Sequence, residues 1–167
     1  LIGLIFPDSD QTGNALFFLG HRSIFTHSIL LPYLLFYYFI IKKKNTNLLI
    51  TLFIIGIFLG IGLHLSADLH PKGWRGYSYI KFLGGDLGDF SPFWIFINAG
   101  AALLFSASLL MKTFNNRNYR TSYLVLGFLV GTFYSIQEPY NNLSIFMTFT
   151  IIFLSTFYVV LIKKEYI

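Results

Sequence analysis

Residues 48–68 read LLITLFIIGIFLGIGLHLSAD, and the fold turns on this stretch. Between Leu48 and Ala67 there is no lysine, arginine, aspartate or glutamate, and the first ionisable side chain is His64. An α-helix needs roughly 20 predominantly apolar residues to cross the hydrocarbon core of a bilayer. The stretch is too long for a strand and lacks the period-two alternation of a β-barrel wall. It therefore reads as a spanning helix that ends in His64-x-x-x-Asp68. Residues four apart on a helix lie on one face, with Cβ atoms about 5–6 Å apart. The imidazole and the carboxylate can then bind one ion, or the carboxylate can orient the ring.

Working outward, four more apolar stretches of comparable length appear, at about Phe25 to Ile41, Pro92 to Met111, Thr121 to Gln137 and Leu143 to Ile162. Pro32 is a candidate kink in the first of them. The chain is 55% hydrophobic and 11% charged, against about 25% charged residues in soluble domains. The expected fold is an all-α, polytopic membrane bundle forming a single domain over residues 1–167, with five visible spans. Leu1 to Phe6 reads as the tail of a further, truncated N-terminal span. There are no cysteines, so thiolate zinc sites and iron–sulfur clusters are excluded and any metal must be held by nitrogen and oxygen.

Charge sets the orientation. Lys42, Lys43, Lys44, Lys112, Arg117, Arg120, Lys163 and Lys164 fall in alternate connections, where the one acid is Glu165. The opposite connections hold Asp8, Asp10, Asp68, Asp86, Asp89 and Glu138 with only four basic residues. The positive-inside rule puts the lysine-rich connections in the cytoplasm. The net charge of +5 is thus a topology signal, and no specific nucleic-acid partner is expected. The same alternation places His64 and Asp68 on the outer face, together with whatever precedes the first span.

What precedes it is a second polar cluster, Pro7-Asp8-Ser9-Asp10 followed by His21-Arg22-Ser23-Ile24-Phe25-Thr26-His27-Ser28. Two neighbouring carboxylates repel each other and are comfortable beside a cation. Imidazole with carboxylate is a donor set for borderline divalent metals. The six-residue spacing of His21 and His27 puts them on different faces of a regular helix, so a turn is expected at His21. Arg22 offers a fixed fork of donors suited to a phosphate or other anion. Thr26 and Ser28 are candidates for helix capping or for hydrogen bonds to a ligand. His70, before Pro71, reads as a loop histidine. Gly84-Gly85-Asp86-Leu87-Gly88-Asp89 resembles a calcium loop but lacks EF-hand spacing. Gly56-x-x-x-Gly60 and Gly127-x-x-x-Gly131 are expected at close helix contacts. Trp74, Trp94 and the tyrosines fit an interfacial aromatic belt.

Pro7-Asp8-x-Asp10, His21-Arg22-x-x-x-Thr26-His27-Ser28 and Gly60-x-x-x-His64-x-x-x-Asp68 with Pro71-x-Gly73 together resemble the YdjM-type membrane-bound metal-dependent hydrolases. The match runs from about Gly3 to Gly73. The spacing from His21 to Thr26 is one residue longer than the tight form of that motif. The family is distantly similar to zinc-dependent phospholipase C and the S1/P1 nucleases. The resemblance implies Asp8, Asp10, His21, His27, His64 and Asp68 as ligands of a divalent metal, most naturally zinc. It implies a phosphoester substrate with membrane lipids within reach; at such a site Asp8 or Asp10 could orient or deprotonate a water and Arg22 could hold the substrate anion, which makes these three the catalytic candidates. It also implies a bacterial cytoplasmic (inner) membrane, with the site on its extracytoplasmic side. The rival reading is a non-catalytic membrane protein in which the metal is structural or regulatory. A transporter is disfavoured, because it would need ionisable residues deep in several spans, and the last three carry almost none, Asn98 being the nearest to one.

Overall fold

The computed structural model describes residues 2–11, 22–44, 47–69, 79–82, 84–114 and 117–137, and the statements below concern these. They are mostly helical, as expected for an all-α chain. A short helix α1 (Ile2–Ile5) leads into a 3-10 turn over Pro7–Gln11. Helix α2 (Leu30–Phe36) continues as a π-helical segment over Tyr37–Lys42. Helix α3 is Leu48–Ala67. A two-residue antiparallel hairpin, β1 (Lys81–Phe82) and β2 (Gly85–Asp86), pairs Lys81 with Asp86 and Phe82 with Gly85. Helices α4 (Ser91–Thr113) and α5 (Arg117–Gln137) follow.

Helix α3 is the centre of the molecule. Its first residues are exposed at Leu48, Leu49 and Phe53, but from Ile57 to Ala67 every residue is buried, whichever way it points. A helix that is apolar all round belongs inside other helices or in lipid, and here its C-terminal half is wrapped by protein. Ile55, Leu59 and Leu63 join Leu103 and Leu110 of α4 and Leu124 of α5. Ile54, Phe58 and Leu65 join Ile95, Ala99 and Ala102 of α4. The Ser106 hydroxyl donates to the Ile55 carbonyl at 2.8 Å, tying the two helices across that seam.

One glycine of the expected Gly56-x-x-x-Gly60 contact makes a close approach and the other does not. A Cβ on Gly60 would lie 2.8 Å from the Gly3 carbonyl carbon and the Leu4 nitrogen. A Cβ on Gly56 would meet nothing within 4 Å. The helix-packing role therefore falls to Gly60 against α1, and to Gly62, whose Cβ would strike Leu103.

The spans expected at Leu48 to Ala67 and Pro92 to Met111 appear as α3 and α4, and among the described residues these are the helices long and apolar enough to cross a membrane. The span expected from Phe25 begins at Leu30 instead, leaving the shorter apolar helix Leu30–Lys42. Polar side chains end the helix early. The Leu30 amide donates to Ser28 Oγ at 3.2 Å and the Ile29 amide to Asn98 Oδ1 at 3.1 Å, satisfying donors that another helical turn would have used. Pro32 then falls in the first turn of α2, where a missing N–H costs nothing and no preceding helical turn exists for it to bend. Helix α5 covers the residues of the fourth expected span, so they are helical, but it is not among the helices apolar enough to cross a membrane. The fifth, Leu143 to Ile162, lies outside the described residues, as does Glu138.

Candidate metal centre

The two polar clusters meet at the C-terminal end of α3, and the contact of Gly3 with Gly60 brings them together. With backbone against backbone at that point, the Leu4 carbonyl reaches His64 Nδ1 at 2.7 Å. The 3-10 turn that follows, started by the buried Pro7, puts Asp8 Oδ1 3.8 Å from His64 Nε2. The other half of the site comes from the loop before α2. The Ile24 amide donates to the Lys81 carbonyl at 3.0 Å, and the Lys81 amide donates to the Arg22 carbonyl at 2.9 Å. This pairing straps the Arg22–Ile24 backbone to the hairpin. A tight turn then forms, with the His27 amide on the Ser23 carbonyl at 2.9 Å and the Thr26 amide on Ser23 Oγ at 3.2 Å. From α4, Trp94 Nε1 donates to the His27 carbonyl at 3.1 Å and fixes the turn from the other side.

The result is a convergence of buried polar atoms. His27 Nε2 and His64 Nε2 each lie 3.3 Å from Asp68 Oδ2. The two rings are edge to face with centroids 5.8 Å apart. One ligand atom from each of Asp8, His27 and His64 lies within 4.8 Å of the other two. His27 is 0% exposed and His64 1%; the Asp8 side chain, at 37%, is the member that meets solvent.

Hydrogen bonding at the far side of each ring assigns its tautomer. A carbonyl oxygen only accepts, so His64 Nδ1 carries the proton that Leu4 receives. The His64 Nε2 lone pair is thereby aimed at Asp68. His27 Nδ1 lies 3.1 Å from Thr26 Oγ1. That hydroxyl donates to the Ser23 carbonyl at 3.2 Å, which leaves its oxygen to accept from His27. His27 Nε2 then also faces the carboxylate with its lone pair. Three acceptors facing one another demand a positive centre, either a proton on an imidazole or a metal ion. The spacing suits the metal. Ligand bonds of about 2.0–2.2 Å in a tetrahedral site place neighbouring donors roughly 3.4 Å apart, close to the 3.3 Å found on both sides of Asp68. A ring nitrogen that ligates while its partner nitrogen is held by a carbonyl or hydroxyl is the usual arrangement at metal sites.

Arg22 takes a different place from the anion clamp expected of it. Its guanidinium Nη2 donates to Asp68 Oδ1 at 2.7 Å, and the side chain is 5% exposed. The residue adopts φ +60°, a left-handed conformation that costs a non-glycine residue free energy. This pairing turns Oδ2, the other carboxylate oxygen, toward the imidazoles. Burial alone would raise the Asp68 carboxyl, but the imidazoles of His64 and His27 and the Arg22 guanidinium outweigh it, holding the group well below the usual carboxylate range.

Of the residues expected at the site, Asp8, His27, His64, Asp68 and Arg22 come together. Asp10 lies in the 3-10 turn, with its side chain outside the described set. His21 and His70 lie outside the described residues altogether. Asp86 and Asp89 belong to the hairpin region, bound by Lys81 at 3.3 Å and Tyr79 at 3.3 Å respectively, and do not join the centre. Sequence reasoning missed Leu4, which acts through its main chain and so carries no side-chain signal. It also assigned Trp94 to the membrane interface. The lone Asn98 in an apolar span was a legible signal: its side chain accepts from Ile29 and donates to the Trp94 carbonyl at 2.9 Å. No family model, curated protein or solved structure matches the chain.

Proposed function

We propose that this chain is an integral membrane hydrolase of phosphoester bonds, dependent on a divalent metal held by Asp8, His27, His64 and Asp68. The observation that carries the reading is the 3.3 Å convergence of two buried imidazole nitrogens on one carboxylate oxygen, with Asp8 alongside. Two nitrogens and two oxygens form a donor set for zinc. The phosphoester class and the five-span, extracytoplasmic topology rest on the YdjM-type motif resemblance and on the alternation of basic connections. Exposed apolar residues along α2, α3 and α4, among them Leu34, Leu49, Phe93 and Phe96, support a lipid-facing surface.

The residues divide the work as follows. His27, His64 and Asp68 would hold the ion from the buried side. Zinc would bring the pKa of a bound water to about 7, supplying hydroxide at neutral pH. Asp8, on the solvent side, is placed to orient that water or take its proton. Arg22 is a positioning residue, acting through Asp68.

Metal analysis of the purified chain tests the site. His27→Ala and His64→Ala should each lose the bound zinc, and full occupancy in either variant refutes the shared centre. A panel of phosphodiesters, with Asp68→Asn as control, tests the reaction. The burial of both histidines favours one alternative, since closed sites are typical of structural zinc. In that case the zinc-loaded protein hydrolyses nothing, while chelation unfolds it.

A further inference from the structure

Beside the metal centre runs a groove of about 470 Å³, lined by Phe6, Phe25, Leu30, Leu31, Tyr33 and Leu34, with Ser9 and Thr26 supplying the polar contribution. Small-molecule pockets span roughly 300–1,000 Å³ and combine apolar walls with a few placed polar groups. The position of the two polar residues matters. Ser9 follows Asp8 directly, and Thr26 Oγ1 is the partner of His27 Nδ1. The groove thus shares its polar members with the two ligand-bearing turns and is otherwise hydrocarbon-like. Its α2 wall runs on into an exposed apolar flank, with Leu34 59%, Tyr37 48% and Ile41 47% exposed. Among the described residues no charged one lines it, so a polar or peptide occupant would leave hydrogen-bonding groups unmatched there.

We propose that this groove seats a hydrocarbon chain of a membrane phospholipid whose phosphate reaches the metal centre, so that the substrate class is an amphiphilic phosphoester drawn from the bilayer. The inference rests on the hydrolase reading above and adds the part of the substrate that the metal does not touch. Leu30, Leu31 and Leu34 grip the chain, Phe6 and Phe25 add aromatic wall, and the flank of α2 gives lateral access from lipid.

The test compares dioleoyl- with dihexanoylphosphatidylglycerol on the zinc-loaded full chain in detergent. Binding is read by native mass spectrometry and hydrolysis in the same samples. The wild type should bind the long-chain lipid more tightly by roughly tenfold or more. Leu31→Trp and Leu34→Trp, which fill the groove, should erase that preference while zinc content stays unchanged. Equal affinity for the two lipids in the wild type overturns the proposal, and so does a preference that survives both tryptophans. If the variants fail to fold, the wild-type chain-length ratio decides alone. Preferential binding without hydrolysis keeps the groove and rejects the hydrolase reading. Hydrolysis without chain-length preference does the reverse.

Discussion

Gly60→Ala should loosen the proposed metal centre from a distance, whereas Gly56→Ala, one turn earlier in the same helix, should not. The Gly60 Cβ would sit 2.8 Å from main-chain atoms of Gly3 and Leu4, which have no rotamer to move. Optimal carbon contacts lie at roughly 3.5–4.0 Å, so α1 must retreat by about 1 Å. That retreat carries the Leu4 carbonyl with it and stretches the 2.7 Å bond to His64 Nδ1 beyond hydrogen-bond range. Asp8, on the turn that follows, moves away from His64 Nε2 as well. Overpacking of this kind costs about 1–3 kcal/mol, and loss of a partner behind a metal ligand lowers affinity by roughly 10–100-fold. Gly56→Ala has open space and removes backbone freedom from the unfolded chain, so it should stabilise by about 0.4–1 kcal/mol. Zinc affinity by chelator competition and thermal unfolding in detergent, run on both variants, measure the contrast. If Gly60→Ala keeps wild-type zinc affinity, the route from helix contact to metal ligand is refuted. Equal damage from Gly56→Ala would refute the assignment of the close approach to Gly60.

Three further outcomes follow from the geometry. Arg22→Gln should destabilise the zinc-free protein by about 3–5 kcal/mol, because the Asp68 charge stays buried with its closest partner gone; adding Asp68→Asn should recover part of the loss, and a purely additive double mutant argues against the pairing. Thr26→Val removes the acceptor of His27 Nδ1–H, so it should cost the apo protein about 1–3 kcal/mol and weaken zinc binding roughly 10–100-fold; unchanged affinity would overturn the tautomer assigned to His27. Asn98→Leu leaves the Ile29 amide without its acceptor and should cost about 1–3 kcal/mol in thermal unfolding; an unchanged unfolding temperature would refute that role.

The sequence by itself determined the helices and the chemistry of the candidates. Leu48–Ala67 is legible because an uninterrupted apolar run of that length admits one backbone solution, and the helix has those bounds. His64-x-x-x-Asp68 is legible because helical periodicity is local, and the two side chains do share a face, at 3.3 Å. His27 could be named as a ligand by residue type, but its placement could not. It sits on a turn whose hydrogen bonds come from Ser23, a hairpin strand and Trp94, partners up to 67 residues away. The sequence likewise offered Arg22 as an anion clamp. Only the tertiary structure turned it inward, because a buried carboxylate at the end of α3 is a nearer and stronger partner than solvent. The same holds for Gly56 and Gly60, equal as a motif and unequal once α1 crosses one of them. Local periodicity and residue type are written in the chain, whereas the atom that completes each polar group is chosen by packing between distant segments.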